Sequence, residues 1–223
     1  MIADGRVTVG GAVADKPARL VAPGDPIVVR GAARVYVSRG GEKLAAALDG
    51  FSVAVEGTRA LDAGASTGGF TDCLLQAGAR EVVAVDVGYG QLHERLRTDP
   101  RVDVRERTNV RMLDADAIGG AVDIVVADLS FISLRTVAPA LLACGREGAD
   151  LVVLVKPQFE AGRAEASKGR GVIRDPAVHA RVLAEVCGAF ADLGAAIMGT
   201  MESPLKGADG NVEYLLHARK AEG

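Results

Sequence analysis

The chain has 223 residues, 49% of them hydrophobic and 25% charged, which is the composition of a globular protein of one or two domains. Its three cysteines, Cys73, Cys144 and Cys187, stand far apart with no C-x-x-C pair, which excludes a disulfide framework and a zinc site and points to a reducing cytoplasm. The net charge is −3, yet residues 1–43 hold seven basic residues against four acidic ones, so the remainder carries −6 and the amino-terminal part is the candidate for contact with a polyanion.

In chain order, R-V-T-V and A-V flank Gly10-Gly11 and predict a tight hairpin over Arg6–Val13, and a third strand is expected at Ile27–Arg30. Residues 31–41 are rich in Gly and Arg and read as a linker, followed by a helix over Glu42–Leu48 with Lys43 in its first turn. From Arg59 apolar strands alternate with helices: strands begin at Arg59, Val82, Val102, Val122 and Asp150, and helices are expected at Gly69–Gln76, Gln91–Arg97, Leu134–Cys144 and Pro176–Leu193. Near-continuous apolar strands in that alternation predict a doubly wound α/β sheet, mostly parallel and covered on both faces. Ala196–Met201 and Val212–Arg219 lack an intervening helix and predict an antiparallel C-terminal hairpin at the sheet edge. The long basic stretch Gln158–Asp175 reads as a functional loop.

L-D-A-G-A-S-T-G-G-F-T (Leu61–Thr71) ends a strand and opens a helix, where glycines admit a nucleotide-like ligand close to the backbone. Asp86 closes the next strand 24 residues after Asp62, where a Rossmann unit places a carboxylate for ribose hydroxyls. Gly64, Gly68 and Gly69 do not form G-x-G-x-x-G, so a pyrophosphate site for a nicotinamide cofactor is not indicated, whereas S-adenosylmethionine needs none. The cofactor-binding candidates are Asp62, Gly64, Ser66, Thr67, Gly68, Gly69, Phe70, Asp86, Asn109, Asp128 and Leu129. No apolar run has membrane-spanning length, no metal cluster is readable, and Ser130 and Ser133 lack the partners of a hydrolase triad.

The stretches V-S-R-G-G-E-K-L at Val37, L-D-A-G-A-S-T-G-G-F at Leu61, D-V-G-Y-G-Q-L at Asp86, V-A-D-L-S-F-I-S-L at Val126, V-K-P-Q-F-E at Val155 and G-N-V-E-Y at Gly210 carry a resemblance. The chain resembles the bacterial haemolysin-A-like (TlyA) ribosomal RNA 2′-O-methyltransferases, whose catalytic domain is of the FtsJ-like group. The resemblance implies a Rossmann-like methyltransferase domain over 42–223, S-adenosyl-L-methionine as cofactor, ribosomal RNA or ribosomal subunits as partner with cytidine riboses as precedent, and a catalytic tetrad on Lys43, Asp128, Lys156 and Glu213. It also implies an RNA-binding domain of the S-four type ahead of the linker, of which only a partial, β-rich segment is expected over 1–30. Either Met1 lies inside the real domain or the protein has a shortened one.

Lys156 follows L-V-V-L-V and is the candidate base. Burial and a neighbouring cation favour its neutral amine, carboxylates favour the charged form, and the balance is open in the sequence. Candidate RNA-phosphate contacts are Arg6, Lys16, Arg19, Arg34 and Arg39, with Arg163, Lys168, Arg170 and Arg174 in the long loop. The readings that compete with a methyltransferase are a non-catalytic, ribosome-associated RNA-binding factor and a membrane-active haemolysin-like protein.

Overall fold

The computed structural model describes residues 2, 5–16, 18–29, 35–162, 165, 169 and 171–222, which divide into two compact units, Met1–Val35 and Tyr36–Gly223. In the first unit β1 (Val7–Val9), β2 (Ala12–Val13) and β3 (Ile27–Val29) form an antiparallel sheet of order β2-β1-β3. Gly10 and Gly11 both have positive φ, 57° and 83°, which the two-residue hairpin turn between β1 and β2 requires. Arg30, Arg34, Arg163, Lys168 and Arg170 lie outside the described residues.

The second unit begins with α1 (Gly40–Gly50) and continues β4 (Arg59–Ala63), α2 (Gly69–Gln76), β5 (Glu81–Val85), α3 (Glu94–Arg97), β6 (Val102–Arg105), β7 (Val122–Ala127), α4 (Leu134–Cys144), β8 (Gly145–Val155), α5 (Pro157–Glu160), α6 (Pro176–Asp192), β9 (Ala195–Glu202) and β10 (Tyr214–Lys220). Its seven-stranded sheet has the order β6-β5-β4-β7-β8-β10-β9; β10 alone runs antiparallel to both its neighbours. Strand alternation divides the core. Leu61, Val83 and Val125 face Val137, Leu141, Val182, Val186 and Phe190 of α4 and α6, while Ala60, Val82 and Ile124 face Leu44, Phe70 and Leu74 of α1 and α2. Each large side chain so buried stabilises the fold by ~1.5–3 kcal/mol, and Phe190→Ala would cost ~3–5 kcal/mol because it also leaves a cavity.

The C-terminal hairpin is antiparallel and lies at the sheet edge, as expected. Within that hairpin β10, with Leu215 to Ala218 buried, inserts between β8 and β9, and the largely exposed β9 takes the edge. Burying those four residues on a paired strand outweighs leaving them at a half-solvated margin. Two expectations need correction. Gly40 and Gly41, read as linker, open α1, whose first turn meets that of α2 through Gly69: a Cβ on Gly69 would overlap the Ser38 hydroxyl and stand 2.9 Å from the Gly41 amide nitrogen. The helix expected from Gln91 starts only at Glu94, after the His93 ring caps it by accepting the Arg95 amide hydrogen.

Candidate active site

The carboxyl ends of the parallel strands and the start of β10 lie along one sheet edge. Gly64 follows β4, Asp86 follows β5, Asp128 follows β7 and Lys156 follows β8. Because β10 pairs antiparallel with β8, Tyr214 opposite Val155, its preceding residue Glu213 comes to the same edge as Lys156. Lys43 arrives there from the first turn of α1.

Two cavities adjoin at this edge and share Ser130 and Phe131. The first, of about 680 Å3, is lined by Gly64, Ser66, Asp86, Asn109, Asp128 and Leu129 among others, six of the residues expected to hold the cofactor. The Asp86 carboxylate is fixed by two backbone donors, the Ser66 amide at 2.8 Å and the Gly88 amide at 2.6 Å. Gly64 is left-handed at φ 89°, and a Cβ there would stand 2.7 Å from the Asp128 carbonyl oxygen, so only glycine lets β4 and β7 approach at the cavity floor.

Asp62, Thr67, Gly68, Gly69 and Phe70 support this cavity without lining it. Gly69 and Phe70 are buried in α2, and Gly68, left-handed at φ 97°, caps it. The Thr67 carbonyl accepts the His93 amide hydrogen. Asp62 is fully buried; the Thr71 hydroxyl donates to its Oδ2 at 2.6 Å, while Oδ1 has neither partner nor solvent. Burial, and after it the charges of Asp128 and Asp86, push its carboxyl up to about 7 against the opposing Thr71 hydrogen bond.

The second cavity, of about 450 Å3, is lined by Lys43, Lys156 and Glu213 together with Arg39. Two ion pairs meet there: Lys43 Nζ lies 2.5 Å from Glu213 Oε2, and Lys156 Nζ lies 2.5 Å from Oδ1 of Asp128, which lines the first cavity. Lys43 and Glu213 are 7% and 3% exposed, so Lys43 is held by a carboxylate rather than by water. Lys156 Nζ also donates to Ser130 Oγ at 3.0 Å. The structure thus brings all four expected tetrad residues to one place.

The chain matches the FtsJ-like methyltransferase family over residues 36–220. The chain belongs to the FtsJ-like methyltransferases. It is 54% identical over 220 residues, 98% of this chain and 82% of the relative, to the 16S/23S rRNA (cytidine-2′-O)-methyltransferase TlyA of Mycobacterium tuberculosis. The structure of a protein described as a hemolysin from Streptococcus thermophilus superposes with TM-score 0.86 at 41% identity, covering 100% of this chain and 81% of that one. At 15% identity, N-methyltransferase NodS from Bradyrhizobium japonicum WM9, in complex with S-adenosyl-L-homocysteine, shares the fold with TM-score 0.58 over 83% of this chain and 89% of its own.

Several residues of this FtsJ-like methyltransferase escaped the sequence reading. Phe131 is 91% exposed with φ 64°, a left-handed conformation that costs a non-glycine residue ~1–3 kcal/mol, and its ring lies 5.0 Å from that of Phe159 on α5. Both rings line the second cavity. Glu160 is buried beside them, accepting from the Ser133 hydroxyl and the Leu134 amide. Asn211 ties Gly171 and Ile173 of the long loop to the approach to β10. The hydrophobic cluster F-I-S-L gave no sign that its first residue is exposed. Arg39, among the expected RNA contacts, lines the second cavity; Arg6, Lys16 and Arg19 belong to the first unit, where Arg19 donates to the Val13 carbonyl.

Proposed function

We propose that this chain transfers a methyl group from S-adenosyl-L-methionine to a ribose 2′-hydroxyl of ribosomal RNA, with cytidine as the target nucleoside and the cytoplasm as its place of work. The observation that carries the reading is the Lys156–Asp128 pair, 2.5 Å apart, where the two cavities adjoin. The first cavity fits S-adenosylmethionine: Asp86 offers a fixed carboxylate for a ribose diol, and the carboxylates of Asp86 and Asp128 suit a ligand bearing positive charge. When bound, that cofactor supplies an electrophilic methyl on a positively charged sulfur.

The chain's own residues orient and deprotonate the acceptor. Lys156 takes the 2′-hydroxyl proton, Asp128 holds its amine in place and balances the charge it acquires, and Lys43, set by Glu213, provides a second cation for the acceptor oxygen or its phosphate. Arg39 at the cavity wall suits a phosphate, and the exposed Phe131 with Phe159 offers aromatic faces to an unstacked base. The 54% identity to a ribosomal RNA cytidine-2′-O-methyltransferase supports the choice of substrate. Among the described residues no helix is long and apolar enough to cross a membrane.

The test is methyl transfer from radiolabelled S-adenosylmethionine to purified bacterial ribosomal subunits by the protein and its Lys156→Ala variant. Label on ribose 2′-oxygens that depends on Lys156 is expected. Cofactor binding without transfer to either subunit would favour the non-catalytic RNA-binding reading, and absence of cofactor binding would overturn the methyltransferase reading.

A further inference from the structure

We propose that Ser130 is a positioning residue for the base: its hydroxyl, with Asp128, aims the Lys156 amine at the acceptor. This rests on Lys156 being the base. The Lys156 nitrogen has three directions besides its bond to carbon. One donates to Ser130 Oγ at 3.0 Å, while Asp128 Oδ1 lies 2.5 Å away as an ion-pair partner without hydrogen-bond geometry. Lys156 itself lines the second cavity. A neutral amine anchored through one hydrogen by the Ser130 oxygen has its lone pair confined to the directions left open, which include that cavity.

In the proton transfer, the acceptor O–H bond breaks with its electron pair left on oxygen, and a new N–H bond forms on Lys156. The resulting ammonium has three hydrogens, one of them already donated to Ser130, and the Asp128 carboxylate 2.5 Å away is in place to balance the charge as it develops. Ser130 is held where this demands. It sits between Asp128 and the left-handed Phe131, lines both cavities, and belongs to a turn whose far end, Ser133 and Leu134, is bound by Glu160.

Turnover on ribosomal subunits, cofactor affinity by calorimetry and Tm should be compared for Ser130→Ala, Ser130→Thr and Lys156→Ala. Losing one hydrogen bond to a charged group predicts a kcat for Ser130→Ala reduced roughly 10- to 100-fold, with KM, cofactor Kd and Tm unchanged, and recovery in Ser130→Thr, which keeps the hydroxyl. Wild-type kcat in Ser130→Ala with an inactive Lys156→Ala would overturn the role of Ser130 alone. Wild-type turnover in Lys156→Ala would overturn the base assignment and this inference with it. Parallel losses of cofactor affinity and Tm, unrepaired by threonine, would reduce Ser130 to a structural residue. Ser130→Gly removes the hydroxyl by a second route, and normal kcat there is equally fatal.

Discussion

Glu160 closes the amino terminus of the helix that starts at Leu134: its Oε1 accepts the Leu134 amide hydrogen at 2.7 Å, and its Oε2 accepts the Ser133 hydroxyl at 2.6 Å. Through this carboxylate the segment carrying Lys156 and Phe159 is tied to the segment carrying Asp128, Ser130 and Phe131. Glu160→Ala would leave a buried amide without its acceptor and should lower stability by ~1–3 kcal/mol, visible as a lower Tm. Turnover should fall further than the loss of folded protein explains, whereas Glu160→Gln, which still offers an oxygen to the amide, should retain more of both.

Asp62 gives stability a dependence on pH. Its folded carboxyl is raised to about 7 by burial, while the unfolded group titrates near the ordinary carboxylate value of 3.8. Below the unfolded value both states are protonated and there is no penalty. As pH rises through the window between the two, the unfolded chain gives up its proton and the folded one keeps it, so stability falls until about pH 7, by at most ~4 kcal/mol. Denaturant titrations of the cofactor-free protein at pH 5 and pH 7 should show this loss, and Asp62→Asn should flatten it. An unchanged slope in that variant would show that another group is responsible.

Gly69 and Gly207 set the two carriers of the Lys43–Glu213 pair. A methyl group on Gly69 would strike Ser38 and the Gly41 backbone, forcing α1 away from α2 at a cost of ~1–3 kcal/mol. On Gly207 it would overlap the Glu213 carboxylate, which is buried against Lys43. Gly69→Ala should therefore lower Tm and activity together. Gly207→Ala should mainly lower kcat, since the displaced atoms belong to one side chain.

Phe131 exchanges stability for an exposed ring. Replacing it by glycine releases the left-handed strain and should raise stability by up to ~1 kcal/mol while removing the aromatic face from the acceptor cavity. Calorimetric unfolding should show the gain, and KM for ribosomal subunits should rise. An unaltered KM would remove Phe131 from substrate binding.

The alternation of apolar strands and helices was legible because hydrophobic periodicity is local: α2 and α4 have the boundaries that their patterns predict, Gly69–Gln76 and Leu134–Cys144. The glycine-rich turn and Asp86 were legible for the same reason, since the conformation of one strand-to-helix turn is encoded within a dozen residues. The tetrad residues were named through motif resemblance, and nothing in their spacing of 28 to 85 residues states that they meet. Tertiary structure alone decided that β10 inserts beside β8, which brings Glu213 to the edge where Lys156 ends its strand and makes room for its pairing with Lys43, 170 residues away in the chain. It likewise decided that Ser130 reaches Lys156, that Glu160 caps a helix from another segment, and that Phe131 stands in solvent. Each depends on strand order and close approach between segments distant in sequence, which burial of the whole sheet fixes and no local pattern contains.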